Sequence, residues 1–262
     1  MPSQGTPRGC TTRLHGLDSY LTEPSDGRAI EGVVVVVSDA FGWEFENTRL
    51  LADHYADKGG YRVIVPDFLG GVALPPSTVQ SLRGFFGGSL LGKAYSAIWL
   101  ALAWIPFMVY QNFLRRTSPT STVATFFSAM SHGPEAKRGL PVFAAGLSWG
   151  GRYVLSLASM PNPPVKAVFV AHPSHVNVPN DLVRLTVPVS FALAKEDHAL
   201  GGDKRIAEVQ RVVGRSAAKC EVKAYSAGHS FCVRADFTGK DTSAQADEAE
   251  DQAVGWFRSQ SL

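Results

Sequence analysis

Gly146-Leu147-Ser148-Trp149-Gly150 sets one hydroxyl between two glycines, where an apolar run (Pro141 to Ala145) meets a segment of helical pattern (Gly150 to Ser159). In that context G-x-S-x-G marks a tight strand-to-helix turn that lifts the Ser side chain above a sheet edge. The flanking glycines relieve the crowding of such a turn. The helix N-terminus beyond it favours a developing oxyanion. A Ser hydroxyl is a weak nucleophile near neutral pH, so it needs a base, and the base needs an acid to orient it. Asp197, in Ala-Lys-Glu-Asp-His, and His229, in Ala-Gly-His-Ser-Phe, answer that need. Each follows a strand-like run, and the order Ser, acid, His is the one expected of strand-borne triads. Glu196 and Asp203 are rival acids; His198, His172 and His175 are rival bases. The backbone N–H groups of Ala40 and Trp149 are the candidate oxyanion donors. The chemistry this pattern predicts is acyl transfer through a covalent Ser148 intermediate.

Such residues must be held by a rigid frame. Gly32 to Ser38 is a β-branched run that reads as a central parallel strand buried on both faces. Further strands are expected at 61–65, 141–145, 165–171, 187–193 and 221–225. Helices are expected at 47–58, 121–132, 150–159, 203–213 and 244–258, the first capped by Asn47 and stopped by Gly59-Gly60. Alternating strands and helices predict an α/β fold with a mostly parallel sheet flanked by helices. In such sheets ligands bind beyond the carboxyl ends of the strands.

The run VVVVVSDAFGWEFENTRLLADHYADKGGYRVIVPDFLGG, with GLSWGGRY, AHPSHV, AKEDHA and AGHSFCVR, resembles the dienelactone hydrolase family over nearly the whole chain from about Tyr20. The resemblance implies an α/β-hydrolase fold and a nucleophile–Asp–His triad at Ser148, Asp197 and His229. The family's usual nucleophile is Cys where this chain has Ser148, and its usual acid after the first core strand is Glu where this chain has Asp39. The implied activity is hydrolysis of an ester, lactone or thioester with an apolar or aromatic, polyketide-like substrate, as in fungal-type members of secondary metabolism. The alternative is a lyase, isomerase or cyclase that uses His229 to move a proton in the same pocket. Asp39, Trp43, Trp104 and Arg234 are the candidate substrate-binding residues, Arg234 because an Arg shortly after the catalytic His holds substrate carboxylate in dienelactone enzymes.

Residues 70–119 are too long for a simple connection and read as an apolar lid-like insertion. Within it, Ala94 to Tyr110 is uncharged and near the lower limit for a spanning helix, but Pro106 breaks it near one end. A lid or buried helix is therefore expected, with no stable membrane insertion. Residues 1–12, rich in Ser, Gly, Pro and Thr, read as a disordered arm without a signal sequence. Residues 13–262 then form one domain. The net charge of +2, from 25 basic and 23 acidic residues, offers no basic excess for nucleic acid. Cys10, Cys220 and Cys232 are scattered, odd in number and without zinc spacing. That fits a reducing, cytoplasmic location. No metal or organic cofactor is expected. The expected partner is a small-molecule substrate, with monomer and homodimer both left open.

Overall fold

The computed structural model describes residues 5–133 and 138–261. Its frame is an eight-stranded sheet: β1 Cys10–Leu14, β2 Leu17–Thr22, β3 Gly32–Val37, β4 Tyr61–Pro66, β5 Val142–Leu147, β6 Ala167–Ala171, β7 Val189–Ala194 and β8 Cys220–Tyr225. The order is β1-β2-β4-β3-β5-β6-β7-β8. The first two strands run antiparallel to their neighbours, and all later pairings are parallel. Every residue of β3, β5, β6 and β7 is buried. This explains their continuous apolar runs, since a parallel strand covered on both faces has no polar side to alternate with.

Helix α1, Glu46–Gly59, stops as expected at Gly60, whose left-handed φ of 71° turns its N–H onto Ala56 O. Its start differs from expectation. Phe45 is the N-cap, and no side chain caps it. Asn47 instead donates Nδ2 to Val233 O at 2.8 Å, tying α1 to the loop that carries His229. Helices α4 Pro119–Met130, α5 Trp149–Ala158, α6 Asp203–Val213 and α7 Ser243–Ser259 lie close to the expected spans. Helix α5 packs on β3, β5 and β6, with α4 beside it, while α1 and α7 pack on each other and on the sheet.

The expected N-terminal arm is corrected over part of its length; residues 1–4 lie outside the described residues. Cys10–Leu14 pairs with β2 through a two-residue turn at His15-Gly16, both with positive φ, the geometry that hairpin twist demands. Arg8 anchors the segment before it, with its guanidinium 2.9 Å from Asp57 and its N–H on Asp53.

The insertion is a helical hairpin, α2 Thr78–Gly87 and α3 Leu90–Val109, followed by a π-turn at Tyr110–Leu114. Pro106 does not break α3 as expected. The helix runs through it and passes into the π-turn, where Arg115 N donates to Tyr110 O. The hairpin is not core: Leu82, Ser96 and Phe107 are buried, while most of its outer apolar residues face solvent.

Candidate active site

Ser148 closes β5 and opens α5 with φ 46° and ψ −109°, a conformation an L-residue holds only under constraint from its surroundings. The constraint is visible at its flanks. A Cβ on Gly146 would lie 2.3 Å from Val154 Cγ2, and one on Gly150 would lie 2.0 Å from Val37 O. Only glycines let the turn approach α5 and β3 this closely, and the turn in turn fixes where the hydroxyl points.

Ser148 Oγ lies 2.7 Å from His229 Nε2. His229 Nδ1 lies 2.7 Å from Asp197 Oδ2. All three are buried. They come from loops just beyond β5, β8 and β7, the carboxyl edge where the parallel sheet was expected to place a site. Burial pushes the Asp197 carboxyl up, but the charge and hydrogen bond of His229, with the Ala199 N–H, outweigh it and hold it below the usual carboxylate value. Asp197 is therefore an anion facing the imidazole, which suits it to stabilise an imidazolium.

The rivals are placed elsewhere. Glu196 is exposed and paired with Lys240 at 2.6 Å. Asp203 begins α6. His198 stacks on Phe86 and stands 5.3 Å from the His229 ring, but its Nδ1 is 3.9 Å from Asp197. His172 is fully buried, with neither ring nitrogen partnered among the described residues. Burial pushes its pKa down to about 3, so it stays neutral behind the site. His175 lines the cavity without touching the triad.

The triad opens into a cavity of about 360 Å³ walled by Asp39, Ala40, Phe41, Leu82, Trp104 and Phe237, among others. Its size and mixed lining suit a small apolar ligand with a few polar contacts. Neither the Ala40 nor the Trp149 N–H has an acceptor among the described hydrogen bonds. Asp39 Oδ1 accepts from Phe41 N at 2.9 Å, whereas its Oδ2 is buried without a partner among the described residues. Burial pushes this carboxyl up to about 7, against the Phe41 N–H that lowers it.

Two expected substrate contacts are corrected. Arg234 points away from the cavity, held by Asp247 at 2.5 Å and Glu250 at 3.3 Å on α7. Those two carboxylates satisfy the guanidinium that was expected to hold substrate. Trp43 lies outside the cavity lining, under the Arg49 guanidinium at 4.8 Å. Sequence reasoning missed Asp236, a buried carboxylate that accepts from Gly228 N at 2.6 Å and from Thr238 N at 2.6 Å. It fixes the loop around His229. Its only sequence signal is an acid set between Ala235 and Phe237, seven residues past that His.

Parallel sheet, strained Ser turn and triad geometry together define the α/β-hydrolase fold class. A profile of the dienelactone hydrolase family matches residues 17–102 and 106–261, and the chain belongs to that family. Among curated relatives, "Hydrolase tropI" of Talaromyces stipitatus is 27% identical over 97% of this chain and 91% of its own length. "Hydrolase pyvD" of Aspergillus violaceofuscus is 23% identical over the same shares. Among solved structures, a dienelactone hydrolase of Anabaena variabilis superposes with a TM-score of 0.60 at 15% identity, covering 97% of each chain. The two hydrolases are similar in sequence along almost their whole length; the Anabaena structure is similar in fold.

Proposed function

We propose that this chain is a serine hydrolase cleaving an ester, lactone or thioester of an apolar or aromatic substrate through an acyl-Ser148 intermediate. The observation that carries the reading is the unbroken relay of two 2.7 Å contacts from Ser148 through His229 to Asp197 at the floor of an apolar cavity. Ser148 Oγ attacks the carbonyl carbon while His229 Nε2 takes its proton. The carbonyl electrons move to oxygen, which the N–H groups of Ala40 and Trp149 stabilise. The tetrahedral species collapses, the bond to the leaving group breaks, and His229 returns the proton to that group. Water then loses a proton to His229 and attacks the acyl carbon. Collapse releases the acid and restores the Ser148 hydroxyl.

Asp39 supports a second reading. A cavity carboxyl that burial pushes up to about 7 can give or take a proton near neutrality, as a lyase or isomerase would need beside His229. A panel of p-nitrophenyl esters, aryl lactones and acyl thioesters, run with Ser148→Ala, separates the two. Hydrolysis by the parent and a loss of about 10⁴–10⁶ in kcat in the variant are expected. Turnover above a tenth of the parent would remove Ser148 as nucleophile, and no hydrolysis of any panel member by the parent would favour the proton-transfer reading instead.

A further inference from the structure

We infer that the outer face of the α2–α3 hairpin docks in the plane of an anionic phospholipid surface. The inference does not rest on the hydrolytic reading.

Helix α3 turns Ser96 and Phe107, with Leu100 and Trp104, toward the domain. That leaves an outer stripe which in a water-facing helix is polar. Here it is apolar from end to end: Leu90, Tyr95, Ile98, Trp99, Leu102 and Ile105 are each at least half exposed. Phe113 in the π-turn continues it at 82% exposure. The run Leu90–Leu114 is long and apolar enough to cross a membrane, yet only 11% of its most apolar stretch is buried. Contiguous exposed apolar surface on this scale marks an interaction face.

Charge selects the occupant. No Asp or Glu occurs between Phe68 and Pro134, while Arg83, Lys93, Arg115 and Arg116 all fall inside that span. Lys93 and Arg116, both exposed, bracket the apolar stripe. A second copy docking face to face would set these cations against their own kind with no carboxylate to meet them. Anionic headgroups meet them directly, and long basic side chains beside an apolar stripe reach such headgroups readily. Tyr95 and Trp99 supply the amphipathic rings that favour the bilayer interface.

The body of the protein keeps the helix in the plane. Gln111 Nε2 donates to Leu69 O at 2.9 Å, Tyr110 Oη to Gly70 O at 2.8 Å and Arg115 Nη1 to Phe68 O at 2.7 Å. A spanning orientation would break all three. An interfacial helix that sinks one face into the headgroup boundary breaks none. The inner side of the same hairpin carries Leu82 and Trp104 onto the cavity wall, so an apolar substrate dissolved in the bilayer would meet the side of the hairpin that borders the site.

The test is flotation of the whole protein with vesicles of phosphatidylcholine alone and with about one third phosphatidylserine, at low and high salt. Binding to the anionic vesicles, weakened by salt, is expected. Lys93→Gln with Arg116→Gln should lower the affinity by about thirtyfold, as two headgroup charge contacts are removed. Ile98→Glu with Leu102→Glu should abolish binding while leaving hydrolysis of a short soluble ester and the circular dichroism unchanged. Failure to float with either vesicle overturns the proposal. So does equal binding to neutral vesicles, and so does a dimer, without vesicle binding, that the Ile98→Glu/Leu102→Glu variant splits.

Discussion

At Asp39, burial and a missing partner act in the same direction. The carboxyl is pushed up to about 7, whereas an Asp in the unfolded chain titrates near ~3.9. Between those values the folded state holds a proton that the unfolded state has lost. Folding is therefore favoured less and less as pH rises through the window from about 4 to about 7, and the loss is complete above it. Asp39→Asn removes the ionisation. Its melting temperature relative to the parent is expected to climb by several degrees between pH 4 and pH 8, read by thermal denaturation at both ends. The same offset at both pH values would show that Asp39 ionises freely in the folded state. Ser148 illustrates a different residue-scale constraint. Its left-handed backbone is tolerated because Gly146 and Gly150 remove the atoms that would collide, so the strain belongs to the turn and is held by α5 and β3.

The elements that position these side chains differed in how much of them the sequence revealed. The parallel strands β3, β5, β6 and β7 were legible because burial on both faces leaves runs such as GVVVVV that no other element accounts for. Strands β1 and β2 were not, because an edge hairpin with exposed Thr and Arg lacks such a run and its turn chemistry sits at His15-Gly16. That Ser148, Asp197 and His229 meet at one sheet edge was readable from order and strand-end placement. Arg234 was misread because its partners, Asp247 and Glu250, are distant in sequence and meet it only when α7 docks. Asp236 was invisible for a similar reason, since its work is done on backbone N–H groups. Asp236→Ala should lower kcat by roughly 10–100-fold through misplacement of the His229 loop, with KM changed much less. A KM effect without a kcat effect would make the residue a binding contact instead. In the hairpin, Trp104 faces the cavity. If it contacts the acyl chain, each methylene buried in the parent is worth at most roughly 0.8 kcal/mol. Trp104→Ala should then flatten the rise of kcat/KM with chain length while acetyl ester turnover stays near the parent value. An unchanged chain-length profile would place the acyl group elsewhere.

For the whole molecule, the sheet brings residues from the ends of β3, β5, β7 and β8 to one edge, although Asp39 and His229 are far apart in the chain. Ser148, His229 and Asp197 stand on the buried part of the structure, and the exposed hairpin borders their cavity. The hydrogen-bonded relay of the three is therefore carried by elements other than the hairpin. The proposed mechanism requires that the Ser148 hydroxyl become acylated. The most direct measurement is intact-mass spectrometry of the protein quenched during turnover of an activated aryl ester, followed by peptide mapping. A mass increase of one acyl group is expected, located on the peptide containing Ser148 and absent from Ser148→Ala. An unmodified protein that is still turning over ester under conditions where deacylation limits the rate, or an acyl group on any other residue, would contradict it.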